Sequence, residues 1–296
     1  MSKITAFLRL TRPANIVTSI ADVLAGIALA GFFTMQIFHT ATYAEVVLLC
    51  LATIGLYGGG IVFNDVFDAE LDKVERPERP IPSGIITVNE ATIFGSLLLL
   101  AGIICASVVG LTSGLLAVLI TIFALTYDKW GKHHSWLGPV NMGICRGLNL
   151  LLGISIITLS LEKTWFVFFV PVIYIASITM ISRGEVHGGK KNTLQIAAFF
   201  YSLVIATILF LAYRMEQVLP ALLFLIPFAW FILKPLSTAM KEPIGKNIGK
   251  AVKAGVIALI LMDAAWAAAF GAYYAAFFIA LLLPISLKLA KIFAVT

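Results

Sequence analysis

Charge is scarce in this chain. Only 12% of its 296 residues are Asp, Glu, Lys or Arg, against about a quarter in a soluble globular protein, and no polar stretch is long enough to build a soluble domain. Cysteine is scarcer still. Cys50, Cys105 and Cys145 each lie inside an apolar run, at spacings that support neither a disulfide framework nor a thiolate metal site. Histidine is limited to four residues, and the adjacent pair His133 and His134 points two ways on a helix and chelates poorly. Against these absences stands a composition that is 60% hydrophobic. That combination defines an all-α, polytopic membrane helical bundle.

The apolar residues gather into ten segments, approximately 14–34, 44–64, 92–110, 112–127, 139–160, 164–181, 194–212, 218–234, 252–270 and 272–290, most of them close to the ~20 residues a crossing needs. The gap near Thr112 is short enough to predict a tight turn. The last apolar run is too long for one crossing at about 1.5 Å per residue; it reads as two helices hinged near Gly271, with one long kinked helix as the alternative. At the N-terminus, Lys3, Arg9 and Arg12 before an apolar run and Ala28-Leu29-Ala30 resemble a secretory signal. Asn15 and Asp22 within that run, and its extension to Phe33, identify a retained first helix instead.

Basic residues test this map. With the N-terminus in the cytoplasm, all of the 21 Lys and Arg except Arg146, Lys163 and Arg214 fall in inward segments, as the positive-inside rule demands. The net charge of +6 therefore matches topology and anionic lipid headgroups, not nucleic acid. The chain is expected in the cytoplasmic (inner) membrane with its polar loops inward. Those loops, about 65–91, 128–138 and 182–193, recur on one face and suggest a single site roofed by all three; a rocking transporter concentrates ionisable groups near the midplane instead. Within the spans, Asn15, Asp22, Arg146, Asn149 and Asp263 are costly in lipid and should face a cavity or each other. Arg146 and Asn149, three apart, suit a cavity wall, whereas Asp22 and Asp263 serve equally well as structural hydrogen-bonding groups.

The densest chemistry is Asn64-Asp65-Val66-Phe67-Asp68-Ala69-Glu70-Leu71-Asp72, followed at once by Arg76 and Arg79. If the helix continues to Asp72, then Asn64, Asp68 and Asp72 share one face with Asp65 beside them. Carboxylates held so close call for a cation, and hard oxygen ligands suit Mg²⁺ bound together with substrate phosphates. A solvated acidic helix end is the plainer alternative.

These residues carry a resemblance. Asn64-Asp65-x-x-Asp68-x-x-x-Asp72 with Arg76-x-x-Arg79-Pro80-Ile81-Pro82-Ser83-Gly84, Arg12-Pro13-x-Asn15, and Tyr127-Asp128 with nearby lysines resemble the UbiA-like intramembrane prenyltransferases over essentially the whole chain, residues 1–296, as one domain. The resemblance implies a ring of nine helices, one fewer than the ten segments above, around a central lateral cavity. It also implies Mg²⁺-dependent transfer of an isoprenoid from a prenyl diphosphate to a small, usually aromatic acceptor. The second motif departs from the family pattern: Ser182-Arg183-Gly184-Glu185-Val186-His187-Gly188-Gly189-Lys190-Lys191-Asn192 has one carboxylate and no aspartate. With Cys145-Arg146-Gly147-Leu148-Asn149, it looks most like the EboC branch, which implies a place in secondary metabolism.

On this reading Asn64, Asp68 and Asp72 hold the first metal with Asp65 on the flank, and Glu185, with or without His187, completes a second site. Arg183, Lys190 and Lys191 offset the poor second motif by direct contacts to the diphosphate. Arg79 is preferred to Arg76 as a clamp, because Pro80-x-Pro82 stiffens its loop and arginine binds phosphate bidentately. Lys132 is favoured over Lys129, and Tyr127 borders the substrate. Asp128 takes the acceptor proton, or else caps its helix or pairs with Lys132. Asn15, Arg146 and Asn149 orient the acceptor. The rival reading is a non-catalytic carrier or exporter of a metabolite or lipid diphosphate, for which the degenerate second motif is the main argument.

Overall fold

The computed structural model describes residues 2–34, 41–134, 136–185 and 188–293. The side chain of His133, and all of Val186 and His187, lie outside this set, so the suggestion that His187 joins Glu185 falls outside the described residues. Within it the regular structure is helical: α1 (Lys3–Leu10), α2 (Pro13–Leu29), α3 (Tyr43–Phe67), α4 (Ala69–Glu75), α5 (Val88–Val109), α6 (Leu111–Lys129), α7 (Leu137–Ile154), α8 (Thr158–Thr164), α9 (Phe169–Ser182), α10 (Lys191–Arg214), α11 (Val218–Lys241), α12 (Gly245–Ala269), α13 (Tyr273–Ala280) and α14 (Leu282–Ile292). Nine helical segments among the described residues are long and apolar enough to cross a membrane, with α8 and α9 forming one and α13 and α14 another. The count becomes ten if α1 and α2, bent by 44° at Thr11–Arg12, are one span. This is an integral membrane protein.

Local chemistry explains the breaks. Thr87 accepts from the Glu90 amide while Glu90 returns a bond to the Thr87 amide, a capping box that starts α5. Gly110 alone separates α5 from α6, the tight turn expected near Thr112. Gly271, at φ +79°, turns the chain between α12 and α13 where a side chain would strain the backbone; the long C-terminal apolar run is therefore two crossings. At the other end, Pro13 opens α2 and leaves Arg12 at φ +47°, a left-handed conformation that costs roughly 1–2 kcal/mol.

Burial sorts the helices into an inner and an outer set. In α12 83% of the membrane-spanning window is buried, against 22% in α5 and in α11. The innermost helices, α2, α7 and α12, meet around the polar residues of the spans. Glycine permits the closest approach: a Cβ on Gly26 of α2 would stand 2.2 Å from the Leu150 carbonyl, and one on Gly153 of α7 would stand 2.2 Å from that of Val23. In hydrocarbon, such small-residue contacts let helix backbones pack directly. One turn from Gly26, the contact brings Asp22 of α2 against Arg146 and Asn149 of α7.

Candidate active site

A cavity of about 420 Å³ opens at one end of the bundle, between α2, α3, α6, α7, α9 and α12. Its lower wall is apolar, with Ile120, Ile175, Ile178, Val252, Val256 and Leu259; its mouth gathers Arg12, Asn64, Asp68, Arg76, Lys132 and Glu185. All three loops read as a shared roof from the sequence contribute to that mouth.

The acid-rich stretch does not continue as one regular helix. α3 loosens at Asp68 (φ −89°, ψ 1°) and α4 starts at Ala69, although the amides of Asp68 and Asp72 still donate to the Asn64 and Asp68 carbonyls at 3.0 and 2.8 Å. The break divides the four polar residues into two pairs. Asn64 and Asp68 line the cavity: Asn64 Nδ2 donates to Asp128 Oδ1 at 2.9 Å, and Asp68 is paired with Lys132. Asp65 and Asp72 are buried beside the cavity in a ladder of charge, in which Arg12 reaches Asp65 (2.9 Å) and Arg79 reaches both Asp65 (3.2 Å) and Asp72 (2.7 Å). That ladder joins the strained start of α2 to α3, α4 and the Pro80–Pro82 loop.

Across the mouth stands Glu185. Its Oε1 is buried with no hydrogen-bond partner among the described residues, and burial raises its carboxyl above the ordinary glutamate range, opposed by the positive charge of Arg76. Glu185 lines the same cavity as Asn64 and Asp68, and hard oxygen donors of this kind suit Mg²⁺. Among the described residues, however, no three Asp, Glu, His or Cys side chains are gathered into a ready-made metal cluster.

Below the mouth, Tyr57 lies two helical turns before Asn64 on α3, about 10 Å deeper, and the Arg146 guanidinium lies over its ring at 5.6 Å. Arg146 Nε sits 2.5 Å from Asp22 Oδ2, while its Nη2 is buried without a hydrogen-bond partner among the described residues. Asn149 joins three helices: Oδ1 accepts from Thr53 at 2.7 Å, and Nδ2 donates to the Ser19 carbonyl and to Asp22.

The residues 23–247, about three-quarters of the chain, match the family model described as the UbiA prenyltransferase family. This chain belongs to the UbiA prenyltransferase family. A digeranylgeranylglyceryl phosphate synthase from Sulfolobus acidocaldarius is 30% identical over 201 residues, spanning 66% of this chain and 69% of that protein. Among solved structures, the apo form of a UbiA homolog from Aeropyrum pernix K1 superposes with a TM-score of 0.70 at 16% identity, covering 84% of this chain and 96% of that one. A UbiA homolog from Archaeoglobus fulgidus bound to GPP and Mg²⁺ gives a TM-score of 0.60 at 13% identity, covering 91% and 99%. The shared fold is the UbiA bundle.

Within this UbiA cavity the structure gathers Asn15, Asn64, Asp68, Tyr127, Asp128, Lys132, Arg146, Asn149 and Glu185. It leaves six expected residues outside. Asp65, one residue on from Asn64, and Asp72, beyond the break at Asp68, pair with arginines and do not line the cavity. Arg79 neutralises those two acids, and Arg76, the less favoured of the pair, lines the mouth in its place. Arg183 donates to the His134 carbonyl at 2.7 Å, and it and Lys190 border a different hollow on the far side of α9. Lys191 is exposed at the start of α10. Asn149 wedges α2, α3 and α7 together with both of its N–H groups already engaged.

The sequence reading missed Tyr57, whose signal was its spacing seven residues before Asn64 on the same helix face. It also left Asp22 undecided. A lone aspartate in a span implies a buried cation, and Arg146 was the one basic residue inside a span.

Proposed function

We propose that the protein transfers an isoprenoid chain from a prenyl diphosphate to a small acceptor inside the membrane, with Mg²⁺ as cofactor. The observation that carries the reading is the convergence of Asn64, Asp68 and Glu185 with Arg12, Arg76 and Lys132 on one mouth above an apolar wall. Asn64, Asp68 and Glu185 are the residues that would hold the metal, which when bound supplies charge neutralisation for the departing diphosphate. Lys132, Arg76 and Arg12 provide the protein's own positive charge at the same place, fixed before reaction and sheltered from bulk water, where it stabilises most. Arg79 acts one layer behind, keeping Asp65 and Asp72 neutralised so that their charge does not repel the diphosphate.

In the transfer, the bond between the isoprenoid C1 and the diphosphate oxygen breaks and one from C1 to the acceptor forms. The acceptor's proton leaves to Asp128, whose Oδ1 is held by Asn64 Nδ2. Ile120, Ile175, Ile178 and Val256 keep water from the allylic carbon. Asn15, Tyr57 and Arg146 are positioned deeper to receive the acceptor. The finer reading is an aromatic acceptor in secondary metabolism. It rests on the EboC-like Cys145–Asn149 and Ser182–Asn192 segments and is supported by the Arg146 guanidinium over the Tyr57 ring. The relatives' name favours a glyceryl phosphate lipid instead. On this reading the mouth opens on the cytoplasmic side of the inner membrane, an orientation supported by the distribution of Lys and Arg.

Purified protein should release inorganic diphosphate from geranylgeranyl or farnesyl diphosphate in the presence of Mg²⁺ and a phenolic acceptor, and stop on chelation. Release only with a prenylated glyceryl phosphate would replace the aromatic acceptor. Metal-dependent binding without release from any acceptor would replace the enzyme with a carrier.

A further inference from the structure

The Ser182–Lys190 segment holds more positive charge than the substrate cavity uses. α9 is a partition. One of its faces, with Ile175, Ile178, Thr179 and Ser182, lines the UbiA cavity. The opposite face, with Val172, Ile173, Ala176 and Met180, lines a second hollow of about 740 Å³ flanked by α7 and α10. The hollow is a trough, apolar for about 12 Å along α9 from Val172 to Met180. At its polar end stand Arg183, Lys190 and the indole of Trp136, which is 76% exposed.

Three features of this end limit what fits. Arg183 and Lys190 are exposed and, among the described residues, neither is paired with a carboxylate; Arg183 spends one nitrogen on the His134 carbonyl. The glycine next to each cation is pinned: the Gly189 amide donates to the Pro243 carbonyl at 3.0 Å, and Gly184 and Gly189 both pack against Ile248. The rim also sits where α9 ends and α10 begins, the depth at which Trp and basic side chains meet lipid headgroups. Two cations without a carboxylate partner among the described residues suit an anion. The trough below them requires an apolar tail. A free phosphate satisfies only the first condition and a neutral lipid only the second.

We propose that the trough between α7, α9 and α10 binds one anionic membrane phospholipid, its phosphate held by Arg183 and Lys190 and an acyl chain laid along Val172–Met180. The site is separate from the UbiA cavity and stands whatever reaction that cavity performs.

The test is native mass spectrometry of the full-length protein in detergent, titrated with phosphatidylglycerol and with phosphatidylcholine of the same acyl chains. A first bound phosphatidylglycerol should show an affinity well above that of phosphatidylcholine. With each surface cation contributing about fivefold, Arg183→Gln with Lys190→Gln should lower that affinity about 25-fold. Lys246→Gln with Lys250→Gln, basic residues outside the trough, should leave it unchanged. Ala176→Trp, which fills the apolar track and spares both cations, should also abolish the preference, with the melting temperature confirming that each variant is folded. Equal binding of the two lipids overturns the proposal, as does a preference that survives both the rim and the track variants. Full competition by inorganic phosphate would reduce the site to one for a small anion.

Discussion

At the scale of single residues, the mouth separates acids that are already neutralised from those that are not. Asp65 and Asp72 have arginine partners and Asp68 has Lys132, whereas Glu185 Oε1 has no partner among the described residues. Two outcomes follow from that division. Glu185→Gln should raise the Mg²⁺ concentration for half-maximal diphosphate release by at least about tenfold, since one charged donor in a hard-cation site is lost; an unchanged titration removes Glu185 from the metal site. Arg79→Ala should act on folding first. It leaves Asp72 buried and unpaired, a loss of about 3–5 kcal/mol, visible as a lower melting temperature in detergent without added ligand. If Arg79 instead touched the diphosphate, its loss would raise KM and leave the unliganded protein's melting temperature unmoved.

At the scale of helices, the site depends on how closely α2 and α7 approach. Gly153→Ala places a methyl 2.2 Å from the Val23 carbonyl, so the backbones must part, and the ion pair of Asp22 with Arg146 lies within the region that moves. Overpacking of this kind costs about 1–3 kcal/mol, and the variant should lose acceptor affinity along with stability. Gly110→Ala is the control: its backbone is extended and a Cβ there meets nothing within 4 Å. A melting temperature for Gly153→Ala equal to that of Gly110→Ala would show that the crossing is not as tight as described. Arg12 ties α2 to α3 in turn: with a left-handed backbone, it bonds Asp65 across the two helices.

At the scale of the whole molecule, two hollows share the wall α9 and open at one end, where the basic residues also collect. Orientation is therefore a single question for all of them. In a cysteine-free background, Ser83→Cys, exposed in the loop between α4 and α5, should be labelled by an impermeant maleimide only in inside-out vesicles. Glu162→Cys, at the opposite end between α7 and α9, should be labelled only in right-side-out vesicles. The reverse pattern would turn the mouth outward and remove the cytoplasmic assignment.

The sequence by itself determined the class of protein, its crossings and the segments that carry chemistry. Hydropathy reports which residues enter lipid, and the crowding of acids and bases into three loops on one face singled out Asn64, Asp68 and Asp128, which the structure brings to one cavity. It could not decide which acids stay available to a ligand. Asp65 and Asp72 look equal to Asp68 along the chain, and Arg79 looks better placed than Arg76. In the structure Asp68 lines the cavity while Asp65 and Asp72 pair with Arg79 behind it, and Arg76 stands at the mouth. The two faces of α9 were likewise invisible, since α9 is apolar all round and only its neighbours distinguish its sides. Partnership between charges is a property of three-dimensional proximity, and tertiary packing alone fixes it.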